Sequence, residues 1–282
     1  MGGIGVDINW IEALVYGMIS GLTEFLPISS HAHQMILLNL FGCTQANGVL
    51  NLFVHIGMFA ALMVTSGGYI RRLYREYQLS KSTRRRRRRE LNMESVFDIN
   101  FVKMACVPVL ISFIFYWKTI QWGDTVPVVA LFMLLNGIIL LIPTYLPRGN
   151  KDSRNMSSLD GVLFGVGSAL SVLPGVSRIG AGSSVAIARG ADPQNAYKWS
   201  LILSVAVLPV LLCFDLYSIF AVGLEGIQFV FVLKGLMSGL LSYIGASLGI
   251  ALMKVLTVRS GLSGFSYYSW GAALFAFILY LY

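Results

Sequence analysis

Three ionisable side chains stand inside long apolar stretches of the sequence: Glu24, Arg178 and Asp215. A charge at the centre of a membrane helix costs roughly 2.5 to 3.5 kcal/mol on insertion scales, so such residues usually have a partner and mark a functional site. Glu24 and Arg178 each adjoin a break in an apolar stretch. The sequence therefore predicts that a carboxylate and a guanidinium meet in a dry pocket, or else form a purely structural ion pair. For Asp215 we expect a structural role, or at most an indirect one.

Hydroxyl and imidazole groups crowd around both breaks: Ser29, Ser30, His31 and His33 at the first, and Ser177, Ser183 and Ser184 at the second. A serine hydroxyl needs a neighbouring base to attack phosphorus, and a histidine three residues later can lie within reach. His31 and His33 would lie on roughly opposite sides of a helix, so both cannot serve one site there. His33 is better placed, whereas His55 is interpreted as a satisfied polar residue in an apolar run.

Glycines surround Arg178 at positions 175, 180 and 182. Backbone N–H groups and the positive end of a short helix beginning near 180 could hold an anion there. The alternative is that these glycines only permit close helix packing. An arginine binds phosphate oxygens through a planar fork, so with Arg178 embedded among the glycines we favour an anion site.

Composition places the chain in a membrane. Of its 282 residues, 56% are hydrophobic and 12% are charged, whereas soluble domains carry roughly 25% charged residues. Residues 25–70, 125–147, 235–253 and 260–282 contain no Asp, Glu, Lys or Arg, and a membrane-spanning helix needs about 20 apolar residues. We predict one all-α, polytopic membrane domain over residues 1–282, without a cleaved signal peptide. Cys43, Cys106 and Cys213 match no metal-ligand spacing, so they are assigned no chemistry.

The pattern Leu-Pro-x-x-Ser occurs twice, at residues 26–30 and 173–177. Each copy precedes a short apolar segment, 34–42 or 179–190, that cannot cross a bilayer, so each predicts a re-entrant hairpin. Paired broken helices indicate inverted repeats that meet near the bilayer midplane. We assign repeat 1 to about residues 8–117 and repeat 2 to about 125–282.

Ten of the 21 basic residues lie between Arg71 and Arg89, six of them consecutive from Arg84. The positive-inside rule predicts that this basic loop, residues 71–96, is cytoplasmic. The run could be a patch for anionic lipid or nucleic acid. We favour a topology signal in a solvated, partly disordered loop, and expect no nucleic-acid partner.

Two motifs resemble a known family: Gly-Leu-Thr-Glu-Phe-Leu-Pro-Ile-Ser-Ser at 21–30 with His33, and Leu-Pro-Gly-Val-Ser-Arg at 173–178. They look like the signature regions of the undecaprenyl-diphosphate phosphatases, the bacitracin-resistance type. Residues 54–57, 71–72 and 215–217 extend the similarity, so the chain is identified as a divergent member. The resemblance implies a bundle of two inverted, interdigitated repeats with re-entrant hairpins in the cell membrane.

The same resemblance implies an extracytoplasmic site that removes the terminal phosphate of a C55 polyprenyl diphosphate. The lipid carrier would return to peptidoglycan synthesis, and a homodimer is left open. By position, Glu24 is the acidic residue, Ser30 a phosphate ligand or nucleophile, His33 a base or acid, and Arg178 the phosphate clamp. Substrate-binding positions are Ser29, His31, Gly175, Ser177 and Gly180. Glu24 could also bind the divalent cation, Mg²⁺ or Ca²⁺, that the family usually needs.

The chain departs from the family pattern at several positions. Ser20 stands where the family carries a second Glu, and Ser168 where it has Gln. Residues 179–182 read Ile-Gly-Ala-Gly instead of Ser-Gly-x-Thr, and His31-Ala32 replaces Thr-Gly. We expect weaker cation binding and a modified phosphatase. The alternative is a pocket that binds polyprenyl phosphate without cleaving it, in a transporter, a flippase or a non-catalytic binder.

Overall fold

A computed structural model describes residues 8–43, 47–81, 92–120, 125–222, 228–259 and 262–281, which are built from α-helices. Short 3-10 turns follow two of them, at Ile142–Tyr145 and Leu170–Val172. The helices are α1 (Trp10–Glu24), α2 (Ser30–Leu40), α3 (Gly48–Thr65), α4 (Gly67–Ser80), α5 (Met93–Ile120), α6 (Val126–Leu141), α7 (Ser158–Ala169), α8 (Arg178–Ala188), α9 (Pro193–Val222), α10 (Phe229–Arg259) and α11 (Ser263–Leu281).

Six of these helices are long and apolar enough to cross a membrane: α3, α5, α6 with its 3-10 turn, α9, α10 and α11. The prediction of a polytopic all-α membrane protein is therefore confirmed. Helices α1, α2, α7 and α8 have 15, 11, 12 and 11 residues, fewer than the roughly 20 that a span requires.

The short helices form two helix-break-helix units. In the first hairpin, α1 ends at Glu24 and α2 begins at Ser30. In the second hairpin, α7 and its 3-10 turn end at Val172 and α8 begins at Arg178. A long helix follows each hairpin, α3 in one case and α9 in the other. The element order thus repeats, while the inverted relation of the two halves and their boundaries stay predictions.

A serine caps the second helix of each hairpin. The hydroxyls of Ser29 and Ser177 accept hydrogen bonds from the N–H groups of Ala32, at 3.3 Å, and Gly180, at 3.1 Å. The motif Leu-Pro-x-x-Ser had matched Ser177 with Ser30, one residue out of register. Both second helices also begin earlier than the predicted segments. Because each starts directly after its cap, Ser30 and Arg178 occupy equivalent first helical positions.

Contacts at the outer ends of the hairpins fix their direction. The Nζ of Lys234, early in α10, donates to the carbonyl of Ile8 before α1, at 2.7 Å. Arg189, just after α8, is paired with Asp160 at the start of α7, at 2.6 Å. Because α8 leads into the start of α9 and α10 begins after its end, the hairpins open toward opposite ends of α9. That helix has 30 residues and is about 45 Å long.

Glycines let α10 wedge between α1 and α3. A Cβ on Gly21 would lie 2.1 Å from the carbonyl oxygen of Ser242, and one on Gly57 would lie 2.1 Å from that of Gly239. Small residues allow such close backbone approach in membrane helices. This packing holds α1 and α3 against the same helix, α10.

The basic loop begins later than predicted, because residues 71–80 continue as helix α4. Arg71 and Arg72 are exposed on it, whereas Leu73 and Glu76 are buried. Charge alone suggested a loop, but the buried residues recur at helical spacing. The run from Arg84 to Arg89 lies outside the described residues.

Candidate active site

The structure brings Glu24 and Arg178 together where the two hairpins meet. An Nη2 of Arg178 donates to Oε1 of Glu24 at 2.6 Å, with side-chain exposures of 8% and 13%. Glu24 is the last residue of α1 and Arg178 the first of α8. The pair therefore joins the two hairpins at their breaks, as the sequence predicts.

Ser204, on α9, is a second partner of the arginine. Its hydroxyl accepts a hydrogen bond from Nη1 of Arg178 at 2.8 Å and donates to the carbonyl of Ser200 at 2.8 Å. A guanidinium has five N–H donors, and the described residues engage two of them in these hydrogen bonds. The remaining donors suit the oxygens of a phosphate group.

Asn136, on α6, bridges the two breaks and is 1% exposed. Its amide nitrogen donates to the carbonyl of Pro27, at 3.3 Å, and to the hydroxyl of Ser269, at 3.0 Å. Its amide oxygen accepts from the N–H of Ser177 at 2.9 Å. The Ser177 hydroxyl adds a direct bond to the carbonyl of Leu26 at 3.2 Å.

Sequence reasoning missed Asn136. The sequence offered one signal for it, a polar amide within an apolar stretch that has no charged residue. A polar group at membrane depth needs a buried partner, so such an amide indicates a contact. A search restricted to ionisable residues passes over it.

Ser30 lies on the first turn of α2 and is half-buried. Its hydroxyl donates to the carbonyl of Ser20 at 3.2 Å. Ser20 is fully buried, and within the described ranges its own hydroxyl has no hydrogen-bond partner. Ser20 thus keeps an unsatisfied hydroxyl on the same residue whose carbonyl accepts the hydrogen bond from Ser30.

Both ring nitrogens of His33 have partners, one in its own hairpin and one on α11. Nδ1 lies 2.7 Å from the carbonyl oxygen of Ser29, and Nε2 lies 2.8 Å from the hydroxyl of Tyr268. Because a carbonyl only accepts, Nδ1 carries the proton and Nε2 accepts from the tyrosine. The structure shows no hydrogen bond from His33 to Glu24 or Arg178, so its role as base or acid stays a prediction.

His31 follows Ser30 and is half-buried. In the part of the chain that the structure describes, it forms no hydrogen bond or ion pair. Its role in substrate binding stays a prediction.

The substrate-binding glycines and serines also have structural duties. Gly175 has a φ of +116°, and a Cβ there would lie 2.6 Å from the carbonyl oxygen of Val129. A Cβ on Gly180 would lie 3.0 Å from that of Pro27. The N–H of Gly180 is bonded to Ser177, so it is not a free anion donor. The contacts of these two glycines therefore support close packing and not an anion site.

His55 and Asp215 form a second buried pair. Nδ1 of His55 lies 2.6 Å from Oδ2 of Asp215, with side-chain exposures of 16% and 13%. His55 is thus a hydrogen-bonded polar residue, as predicted, and Asp215 joins α9 to α3. Nearby, the hydroxyl of Tyr16 donates to Oδ1 of Asn51 at 2.8 Å.

Divalent-cation binding at the Glu24–Arg178 pair stays a prediction. Among the described residues, no three His, Cys, Asp or Glu side chains cluster as metal ligands. Mg²⁺ in phosphate sites is held by one or two carboxylates together with substrate oxygens. Here Glu24 supplies one carboxylate, already bonded to Arg178, and Ser20 supplies only a hydroxyl.

Comparison with known proteins covers almost the whole chain. The model of the family described as bacitracin resistance protein BacA matches residues 13–275. The undecaprenyl-diphosphatase of Methanobrevibacter smithii is 27% identical over 274 residues, which is 95% of this chain and 96% of that protein. The protein of the same name from Methanococcus maripaludis is 26% identical over 268 residues, covering 94% and 98%. Undecaprenyl-diphosphatase 1 of Shouchella clausii is 27% identical over 281 residues, covering 95% of each.

Proposed function

We propose, from the premise that this chain belongs to the bacitracin resistance protein BacA family, that it hydrolyses undecaprenyl diphosphate to the monophosphate and inorganic phosphate. The observation that carries the proposal is the Glu24–Arg178 pair, which sits between the two breaks of a multi-pass membrane protein. The relatives named above carry the name undecaprenyl-diphosphatase and align along nearly their full length.

In this proposal Arg178 binds the terminal phosphate. Its remaining N–H donors contact phosphate oxygens and stabilise the negative charge that these oxygens carry in the transition state. Ser204 and Glu24 hold the guanidinium in place, so its orientation costs little when substrate binds. Hydrolysis forms a bond from an attacking oxygen to the terminal phosphorus and breaks the anhydride bond, whose electron pair leaves with the lipid monophosphate.

Ser30 is the proposed phosphate ligand or nucleophile. It occupies the first helical position of α2, which corresponds to Arg178 on α8. Its hydroxyl is bonded only to a backbone carbonyl among the described residues, and that weak bond can be exchanged for one to a phosphate oxygen. Among the described residues, Glu24 is the carboxylate available to Mg²⁺ or Ca²⁺ at this pair, so we propose that a cation, where used, is held chiefly by diphosphate oxygens.

We place the site in the plasma membrane with its opening on the extracytoplasmic side. Lys198, near the start of α9, pairs with Glu94 at the start of α5 at 3.1 Å, and α4 with its exposed arginines directly precedes α5. The positive-inside rule makes that end cytoplasmic. The first hairpin opens toward the opposite end. A homodimer stays a prediction, which the mass of the purified protein in detergent would check.

The test is release of inorganic phosphate from a C55 diphosphate by purified protein, with and without added Mg²⁺ or Ca²⁺. We expect Arg178→Ala to lose at least about 100-fold in kcat, the scale of removing one donor to a transition-state oxyanion. Ser30→Ala should lose activity as well. A wild type no faster than both variants would refute hydrolysis, and lipid flipping in reconstituted liposomes would then be measured.

A further inference from the structure

Polar side chains line three neighbouring helices between the Glu24–Arg178 pair and the end of the molecule where α1 begins. On α1, Tyr16, Ser20 and Glu24 recur at intervals of four residues, and on α3 Asn51 and His55 do the same. Residues four apart share one face of a helix. We call this set, completed by Asp215 on α9, the polar seam. Polar groups at membrane depth are costly and tend to serve a function.

Direct contacts join the three helices along the seam. The hydroxyl of Tyr16 donates to Asn51, and the His55 imidazole is bonded to Asp215. Asp215 lies 11 residues after Ser204, the partner of Arg178, on the same helix. That spacing is about three helical turns, so the two side chains lie on nearly one face, about 16 Å apart along the axis. The His55–Asp215 pair therefore lies on the α1-start side of the proposed site.

The electrostatic surroundings of His55 are negative. Burial disfavours a charged imidazole here, and the charges of Asp215 from α9 and Glu24 from α1 oppose that effect. Tyr16 from α1 and Tyr116 from α5 lie close enough to Asp215 for its charge to act on them. The helix α10 also packs on α3 and presents a glycine and a serine there. A protonated imidazole in this position is stabilised by its carboxylate partner.

Hydrolysis releases a proton from the attacking oxygen, and the Glu24 and His33 side chains that could receive it already have hydrogen-bond partners. The Glu24 carboxylate is bonded to Arg178, and both nitrogens of His33 are engaged. No described carboxylate pairs with His31. In His55, Nδ1 is held by a carboxylate, and no described residue hydrogen-bonds Nε2. A carboxylate that orients an imidazole and stabilises its charged form is the arrangement of hydrolytic dyads.

We propose that His55 and Asp215 form a proton-transfer pair for the hydrolysis, an inference that rests on the proposed phosphatase activity. As the attacking oxygen bonds to phosphorus, its proton passes to Nε2 of His55 through water in the polar seam. The resulting imidazolium is neutralised by Asp215, and the proton then leaves to water at the end where α1 begins. His55 acts on the reaction through solvent or seam side chains, so its role is positioning and proton acceptance.

The test compares phosphate release by wild type and His55→Gln between pH 5 and 9. Glutamine keeps a hydrogen bond to Asp215 but cannot accept a proton. We expect kcat at pH 7 to fall about 100-fold, as for loss of a general base, with KM within about twofold. The fall in kcat toward acidic pH should disappear, and added imidazole should restore part of the rate. Ser242→Ala is the matched control, because it removes a hydrogen bond to the carbonyl beside His55, that of Val54, without touching the pair.

A second variant, Asp215→Asn, covers a failure of His55→Gln to fold, and it should lower kcat and shift the acidic limb. A His55→Gln enzyme with the wild-type pH profile would overturn the proton-transfer pair while leaving the phosphatase intact. So would His31→Gln if it removed the acidic limb instead. Wild-type protein that releases no phosphate would refute the phosphatase, and with it this inference.

Discussion

The two hairpins share a scaffold but not a chemistry. In each, a serine caps the second helix by accepting an N–H bond from the third residue of that helix. The residue after the cap then differs: Ser30 in the first hairpin, Arg178 in the second. One hairpin thus presents a small hydroxyl, and the other a long cation that crosses to its partner. The comparison teaches that one cap geometry can present different side chains at the first helical position, a hydroxyl in one hairpin and a guanidinium in the other.

The largest effect should come from removing the link between the hairpins. Glu24→Gln leaves Arg178 buried without its counter-charge, and breaking a buried ion pair in this way costs about 3–5 kcal/mol. The double variant Glu24→Gln/Arg178→Gln should recover part of that loss, because no buried charge remains. The melting temperatures of wild type, Glu24→Gln and the double variant in detergent measure these differences. Equal melting temperatures for wild type and Glu24→Gln would show that the hairpins are held together by other contacts.

The amide bridge between the hairpins should come next. Asn136→Leu strips partners from the carbonyl of Pro27 and the N–H of Ser177, and each buried unsatisfied group costs about 1–3 kcal/mol. We expect a lower melting temperature and a lower kcat with little change in KM, since both breaks lose their alignment. Ser269→Ala is the control, because it removes the third bond of the same amide and touches neither break. A Ser269→Ala loss as large as that of Asn136→Leu would contradict the bridge.

The caps themselves offer a finer comparison. Replacing a serine N-cap by alanine costs about 1 kcal/mol, so Ser29→Ala and Ser177→Ala should both destabilise the fold. Ser177→Ala should cost more, because its hydroxyl also bonds to Leu26 of the opposite hairpin. Melting temperatures measured side by side give the difference. The reverse order would mean that the inter-hairpin bond contributes nothing.

The smallest effect concerns the outer end of the second hairpin. Burial raises the pKa of Asp160, but hydrogen bonds from Ser157 and Arg189 outweigh it and hold that pKa below its ordinary value. A lowered folded-state pKa contributes stability above the unfolded pKa, and this is lost as pH falls through the folded one. Because Arg189 is 49% exposed, we expect less than about 1 kcal/mol. Melting temperature followed from pH 6 to 3 should fall less for Asp160→Asn than for wild type.

The central pair could be predicted from the sequence because ionisable residues in apolar runs have few partners to choose from. Glu24 and Arg178 each adjoined a Pro-containing break, and the structure joins them. The number of apolar runs likewise indicated a polytopic helical fold. These patterns can be recognised without knowing how the helices pack, because the membrane restricts which residues each segment can contain.

Contacts between residues far apart along the chain could not be predicted from the sequence. Tyr268 reaches His33 from 235 residues away along the chain, and no local pattern connects them. The register of the two caps was also missed by one residue, because the Leu-Pro-x-x-Ser pattern contains a serine in each copy but does not say which one accepts the N–H bond. The arginines of helix α4 indicate a charged loop, whereas the spacing of its buried residues, Leu73 and Glu76, indicates a helix.

The hydrogen bonds of Asn136 restrict movement of the two hairpins relative to each other. Its one amide group is bonded to both hairpins and to α11, so neither hairpin can slide past the other without exchanging these bonds for less favourable ones. A carrier that moved one hairpin against the other, in order to expose its cargo alternately to the two faces of a membrane, would have to break these bonds in every cycle. A site that binds, cleaves and releases in one place does not require that movement. The amide thus acts as a lock on relative hairpin motion, and it favours chemistry over carriage.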